Sequence, residues 1–270
     1  MNNVISIGAV FGIVVLSVVS AFIVGGMIMG ISASSPEQTD KLYIYISFFL
    51  GQAIMLVPPL YYLRVKKKPI IQSLRINLVS THTIKYSFIF SLGILIIFDA
   101  LDRIIHQLVP TPDYIIDLSQ IMQPDSTLGH VFLFLAVVIV APIGEEIVFR
   151  GFLQKFLEDY WKDITRAVLV TSLFFAMIHF NPFWTIQIYL LGVVLGFLAW
   201  KTKSVFPSII LHSINNGTAY ILSIFDDANL NIYLWNENVS PVFILLGFYF
   251  IYIGLNTLNK AEGYYAKRNV

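Results

Sequence analysis

The sequence contains no cysteine and few charged residues. Lysine, arginine, aspartate and glutamate make up 12% of its 270 residues, against about 25% in a typical soluble protein. Without cysteine the chain has no disulfide, no thiol nucleophile and no thiolate ligand for a metal. The formal net charge is only +1, so we expect no nucleic-acid partner. The chain also lacks internal repeats, which argues against a secondary transporter built from inverted repeats.

Apolar residues are abundant instead. They make up 57% of the chain, and the mean hydropathy is +0.77. A membrane-spanning helix needs about 20 predominantly apolar residues. Runs of this kind lie at 4–32, 42–63, 86–105, 129–157, 164–180, 184–200, 205–225 and 241–258. We therefore predict an all-α, polytopic membrane protein with about eight transmembrane helices. The first run is predicted to be a retained span, since no basic residue precedes it as in a signal peptide.

Polar connections divide these runs into three parts. We expect residues 1–128 to hold three N-terminal spans, residues 129–225 a core of four spans, and residues 226–270 an outer loop, the last span and a cytoplasmic tail. Eight spans place both termini on one side. Lysine and arginine favour the cytoplasmic side of a membrane. With cytoplasmic termini the outer side would hold only Lys41 and Arg103. We therefore predict an integral protein of the plasma membrane with both termini in the cytoplasm.

Two carboxylates and a guanidinium interrupt the fourth run. Residues 131–143 carry no charge, and Glu145, Glu146 and Arg150 follow directly. A charged side chain at the centre of a bilayer costs at least a few kcal/mol, so its default interpretation is functional. Glu146 and Arg150 are four residues apart on a helix and can form a structural ion pair. Glu145 points about 100° away from Glu146 and is left without this partner.

Three further polar residues occupy later apolar runs. His179 lies near the end of the fifth run, and His212 and Asn216 share a helical face in the seventh. At a rise of about 1.5 Å per residue, Glu145, His179 and His212 lie roughly 14–20 Å from the cytoplasmic boundary. This agreement in depth permits the three side chains to meet. Each also has a structural interpretation, because polar side chains commonly bridge membrane helices, and Asn215 is an alternative to Asn216.

These groups are suited to the activation of water. A carboxylate in an apolar site is a natural general base, and an imidazole can hold the water or share its proton. A second imidazole and an amide can stabilise a developing oxyanion. Alternatively, Glu145, His179 and His212 could bind Zn²⁺ and leave one position open. The sequence contains no H-E-x-x-H, which excludes a conventional zincin.

Three motifs in the C-terminal half resemble those of the CPBP intramembrane protease family, which includes the CAAX prenyl endopeptidases and the bacterial Abi proteins. They are E-E-x-x-x-R at 145–150, F-x-x-x-H at 175–179 and H-x-x-x-N at 212–216. The resemblance covers roughly residues 129–220, includes Gly192 and Gly196 as small packing residues, and implies a CAAX-protease-like helical bundle. It implies that Glu145 activates water with help from His179. It also implies that His212 and Asn216 form the oxyanion site, with no metal required in the interpretation we favour.

The sequence therefore predicts an intramembrane endopeptidase. Its substrate would be a peptide or a lipidated protein tail, cleaved near the cytoplasmic half of the lipid bilayer by water that glutamate and histidine activate. The alternative is a non-catalytic membrane protein of the bacteriocin self-immunity or regulatory type, which keeps the protease fold and binds a partner.

Overall fold

The computed structural model describes residues 5–33, 41–109, 126–224 and 232–268, together with positions 112, 115, 123 and 124. Parts of several predicted features lie outside the described residues. They are the ends of the predicted spans 4–32 and 205–225, most of the predicted loop between the third and fourth spans, the start of the predicted outer loop, and the last two residues of the tail.

Helices account for most of the described chain, as the apolar runs predict. They are α1 Ile7–Ala33, α2 Lys41–Ile54, α3 Val57–Val65, α4 Ile70–Ser73, α5 Thr81–Leu108, α6 Thr127–Trp161, α7 Ile164–Met177, α8 Thr185–Thr202, α9 Phe206–Ile224 and α10 Pro241–Arg268. The predicted second span is divided into α2 and α3, because Pro58 and Pro59 have no N–H groups to continue the ladder of helical hydrogen bonds.

Local chemistry explains where several helices begin and end. Ser80, Ser126 and Asp163 precede α5, α6 and α7, and each side chain accepts a hydrogen bond from a backbone N–H three residues later. Lys162 and Lys203 adopt left-handed backbone angles directly after α6 and α8. This conformation turns the chain out of each helix and ends it.

The prediction of a polytopic, helical membrane protein is confirmed. Within the described residues, five helical stretches are long and apolar enough to cross a bilayer: Ile7–Gly30, Tyr43–Val65, Thr127–Trp161, Thr185–Thr202 and Pro241–Asn259. α7 is apolar but has only 14 residues. α5 and α9 are long enough, but both carry polar or charged side chains that lower their hydropathy. The count of eight spans and the cytoplasmic location of the termini therefore stay predictions.

A short hairpin lies within the segment that is predicted to be an outer loop. β1 (Leu234–Trp235) pairs antiparallel with β2 (Asn238–Val239), and the two turn residues between them have positive φ angles. The hydroxyl of Tyr233, just before β1, donates a hydrogen bond to Asp99 Oδ2 on α5 over 2.8 Å. Burial and this hydrogen bond raise the pKa of Tyr233 above its ordinary value.

Two π-helical stretches interrupt α6. They are Leu135–Val140 and Ile147–Gln154, and a regular turn at Ala141–Glu146 separates them. The N–H of Ala141 bonds to the carbonyl oxygen of Ala136, five residues earlier, as in a π-helix. Wide turns of this kind occur frequently at functional sites. Here they flank the turn that carries Glu145 and Glu146.

The core of the protein forms around the second half of α6. Val148, Phe149, Leu153 and Leu157 are buried there against residues of α1, α3 and α7. A second apolar cluster joins α5, α8, α9 and α10. α6 contacts the N-terminal helices α1 and α2 as well as α7, α8 and α9. The acidic pair of α6 therefore lies inside the bundle.

Candidate active site

Glu146 is the centre of a buried polar cluster. Its Oε1 accepts a hydrogen bond from Arg150 Nη1 over 2.7 Å and lies 3.0 Å from His212 Nδ1. The side chains of Glu146 and Arg150 are fully buried, and His212 is nearly so. One carboxylate oxygen thus joins a guanidinium on its own helix to an imidazole on α9. The sequence predicted the pairing with Arg150 but not the contact with His212.

Arg150 connects three helices. Its Nη2 donates a hydrogen bond to the carbonyl oxygen of Gly192 on α8 over 3.2 Å. Its guanidinium lies 4.2 Å from the centre of the Phe175 ring on α7, a distance typical of a cation–π contact. Gly192 also allows α8 to pack closely against α7, since a Cβ at position 192 would lie 3.0 Å from Ser172 Cβ on α7. The backbone carbonyl of Gly192 and the ring of Phe175 were not predicted to hold the guanidinium.

Glu145 points toward the other nitrogen of the same imidazole. Its Oε2 lies 3.8 Å from His212 Nε2, which is too long for a direct hydrogen bond. Glu145 is only 7% exposed, and among the described residues no donor bonds to Oε2. Buried polar atoms are nearly always hydrogen-bonded, and an exception requires an explanation such as a catalytic role. Glu145 and His212 together therefore present an atom pair that a water molecule or a substrate can bridge.

The contact with Glu146 determines which nitrogen of His212 carries a proton. A carboxylate accepts hydrogen bonds, so Nδ1 of His212 is the protonated nitrogen. In the neutral imidazole Nε2 then presents its lone pair toward Glu145, and in the imidazolium it presents a second N–H. Glu146 and Arg150 consequently orient His212 as well as compensating each other's charge.

Asn216 bonds α9 to the first π-helical stretch of α6. Its Nδ2 donates to the carbonyl oxygen of Val137 over 3.0 Å, and Asn215 Nδ2 donates to Asn216 Oδ1 over 3.3 Å. One turn further along α9, the Tyr220 hydroxyl lies 2.8 Å from His130 Nδ1 on α6. This last pair was not predicted, although Tyr220 follows His212 and Asn216 at the same four-residue spacing. The α6–α9 seam is thus polar at three successive levels.

His179 lies apart from this cluster. It follows the end of α7, is exposed, and its Nδ1 donates to the carbonyl oxygen of Phe175 over 2.7 Å. Among the described residues no hydrogen bond or ion pair joins it to Glu145, Glu146 or His212. The Phe175 ring separates the two histidines, with its centre 4.8 Å from that of His179 and 5.8 Å from that of His212. Among the described residues no hydrogen-bond partner is recorded for Nε2 of His179, so this nitrogen is available to a ligand.

The arrangement does not fit the zinc ligand set that the sequence allowed. Two of the three candidate ligands, Glu145 and His212, face each other, but His179 does not join them. No group of three or more histidine, aspartate or glutamate side chains in the described ranges could hold a metal ion. A catalytic zinc needs three protein ligands around one position. The described residues therefore do not form a catalytic zinc site.

The residues of the candidate site lie in a stretch of the chain that is similar to known proteins. A model of the family described as type II CAAX prenyl endopeptidase Rce1-like matches residues 127–218. The UPF0177 protein YbdI of Lactococcus lactis subsp. lactis (strain IL1403) is 32% identical over 127 residues, which are 45% of this chain and 68% of that protein. No solved structure matches the chain. The stretch matched by the family model runs from the start of α6 into α9.

Proposed function

The chain belongs to the CPBP family, which includes the Rce1-like CAAX prenyl endopeptidases, and we propose that it is an intramembrane endopeptidase. The observation that carries this proposal is the buried carboxylate oxygen of Glu145, which has no donor among the described residues and faces His212 Nε2. A carboxylate that is held in an apolar site beside an imidazole can act as a general base toward water.

In the proposed reaction, water binds between Glu145 Oε2 and His212 Nε2. Glu145 takes a proton from this water as its oxygen attacks the carbonyl carbon of the scissile peptide bond. The carbonyl oxygen becomes an oxyanion, which protonated His212 and the amide of Asn216 stabilise. The C–N bond then breaks, and the proton passes from Glu145 to the leaving amine. Every proton in this sequence starts and ends on a group of the site, the water or the substrate.

The other motif residues support these groups. Glu146 keeps the proton of His212 on Nδ1, and Arg150 compensates the charge of Glu146. His179 presents its free Nε2 at the end of α7, where we propose that it contacts the substrate or the incoming water. We propose that the substrate is an extended peptide or a lipidated protein tail that enters from the cytoplasmic half of the bilayer.

The test is cleavage by the purified protein in lipid nanodiscs. Two quenched-fluorescent probes would be used, a farnesylated CAAX-type peptide and an unlipidated apolar peptide. Glu145→Gln should lower kcat by about 10²–10⁴-fold, the usual contribution of a general base. Asp159→Asn is the matched control, because this carboxylate lies on the same helix but is exposed. Full cleavage by well-inserted Glu145→Gln would exclude Glu145 as the base.

The separate location of His179 favours a second candidate, a non-catalytic immunity or regulatory protein. The ring of Phe175 separates His179 from His212, which is compatible with a site that binds a partner and hydrolyses nothing. This function is tested by expressing the wild type and Glu145→Gln in a host that is sensitive to a bacteriocin. Equal protection by both forms would support immunity without hydrolysis, whereas protection by the wild type alone would support the endopeptidase.

A further inference from the structure

The polar face of α6 continues from the candidate site toward the C-terminal end of the helix. Gln154 and Glu158 follow Arg150 at successive four-residue steps. Gln154 is fully buried, and its Nε2 donates to Glu158 Oε1 over 2.8 Å and to the carbonyl oxygen of Gly196 on α8 over 2.9 Å. Arg150 bonds to the carbonyl of Gly192, one turn away on α8. Two parallel side-chain-to-backbone bonds therefore fix α6 against α8.

Arg75 lies at the C-terminal end of this polar face, where it pairs with Glu158. It lies between α4 and α5, and its Nη1 donates to Glu158 Oε1 over 3.0 Å while Nη2 pairs with Oε2. Arg75 is only 5% exposed, so both ends of this bidentate pair are largely shielded from water. Its φ angle is 52°, a conformation that few residues other than glycine adopt. Paired guanidinium and carboxylate groups with this geometry are among the stronger hydrogen-bonded contacts in proteins.

The backbone around Arg75 contacts the other helices of the site. The carbonyl of Leu74 lies against Gly151 on α6, where a Cβ would be 2.5 Å away. The carbonyl of Arg75 accepts from the N–H of Val205, just before α9. Asn77 bonds to the carbonyl of Lys203 between α8 and α9 over 2.7 Å. The segment 74–77 therefore joins α6 to the connection between α8 and α9.

We propose that Arg75 is a positioning residue for the candidate active site. Its pair with Glu158 fixes the position of α6 along its own axis relative to α8 and α9. This position keeps Glu146 in contact with His212. The proposal rests on the proposed hydrolytic function for its kinetic test. Arg75 lies outside the stretch 127–218 that matches the family model.

Breaking this pair would leave a negative charge without compensation inside the protein. The side chain of Glu158 is only 9% exposed, and without the guanidinium of Arg75 its carboxylate keeps Gln154 as a hydrogen-bond donor. An uncompensated buried charge is costly, so we expect the end of α6 to move toward a position where Glu158 reaches water. Displacements of about 1 Å at a reacting centre can lower a rate by about 100-fold. The displacement acts on the same helix that carries Glu145 and Glu146.

The kinetic test uses Arg75→Ala, Glu158→Gln and the exchange of Arg75→Glu with Glu158→Arg, all on a peptide probe that the wild type cleaves. The single variants should lower kcat by about 10- to 100-fold with little change in KM, and the exchange should restore most of the loss. Lys155→Ala and Asp159→Ala are the matched controls. They break an ion pair on the same helix, at 2.9 Å, whose side chains are 30% and 65% exposed. A kcat at the wild-type level in both single variants overturns the proposal.

A second measurement does not depend on activity. Because the chain has no cysteine, Val138→Cys with Gly217→Cys gives one defined disulfide pair across the α6–α9 seam, where a Cβ at 217 would lie 3.3 Å from Val138 Cγ1. Oxidative cross-linking in membranes should slow when Arg75→Ala is added and stay unchanged with Lys155→Ala. If the wild type cleaves no probe, the proposed function fails, and unchanged cross-linking in Arg75→Ala then decides against the positioning role separately. If Arg75→Ala does not accumulate in membranes, Glu158→Gln carries both tests.

Discussion

Replacement by glutamine should affect stability very differently at the two adjacent carboxylates of α6, Glu145 and Glu146. Glu146→Gln removes a negative charge that both Arg150 and His212 contact. Glu145→Gln removes a charge that has no hydrogen-bond donor on Oε2 among the described residues. We therefore expect the first variant to lower stability strongly, and the second to leave stability nearly unchanged while it abolishes hydrolysis.

The magnitude follows from the burial of Arg150. Both members of its pair with Glu146 are fully buried, and in Glu146→Gln the guanidinium loses this charged partner while it keeps the Gly192 carbonyl and the Phe175 ring. Removal of one partner of a buried ion pair typically costs about 3–5 kcal/mol. This is a large part of a total stability of about 5–15 kcal/mol. By the scaling of globular domains the melting temperature should fall by roughly 6–20 °C.

The assay is thermal unfolding of the purified protein in detergent, followed by the fluorescence of its four tryptophans. Glu145→Gln is the control at the neighbouring position. Adding Arg150→Met to Glu146→Gln should recover part of the loss, since it removes the unpaired cation. A melting temperature for Glu146→Gln equal to that of the wild type would refute the reasoning, because it would mean that the guanidinium reaches water.

Three further outcomes are expected. Gly151→Ala should destabilise the protein by about 1–3 kcal/mol, because its Cβ would meet the Leu74 carbonyl, whereas Gly12→Ala, with nothing within 4 Å, should melt like the wild type. Because the pKa of Tyr233 is raised in the folded protein, its hydroxyl contributes fully to stability below about pH 10, and this contribution is lost as the pH rises further. Tyr233→Phe has no such hydroxyl. Between about pH 8 and pH 11 its melting temperature should therefore fall less than that of the wild type. Hydrolysis should survive dialysis against a chelator, and a loss that added zinc restores would contradict the metal-free reaction.

Much of the fold could be predicted because a bilayer restricts what an apolar sequence can do. A run of about 20 apolar residues has to form a helix there, since no water is present to bond its backbone. The helices follow the predicted runs for this reason, and the family was identifiable from three short motifs. The pairing of Glu146 with Arg150 is equally local, since it depends only on a four-residue spacing in one helix.

The remaining features of the site depend on how each helix is rotated about its axis relative to its neighbours. A local sequence pattern does not predict this rotation. The π-helical stretches of α6 change its angular phase between Leu135 and Gln154, so a regular helical projection does not show which side chains face α9. The contact of His212 with Glu146 therefore could not be predicted. The pair of Arg75 and Glu158 was equally inaccessible, since the two residues are 83 positions apart. Their contact depends on a tertiary arrangement that places the 74–77 segment beside α6.

The charges of the site separate the two candidate functions. An ion pair such as Glu146 with Arg150 gives a fold little that apolar side chains could not supply. With Glu145 and Glu146 counted as carboxylates and Arg150 as a guanidinium, one negative charge remains, and a single proton on His212 or Glu145 balances it. Peptide hydrolysis has to move a proton from water to the leaving amine. Glu145 and His212, which lie 3.8 Å apart, are the two groups that can carry this proton. A protein that only binds a partner has no use for this proton, so Glu145→Gln, which keeps the shape and removes the acceptor, should spare immunity and abolish hydrolysis.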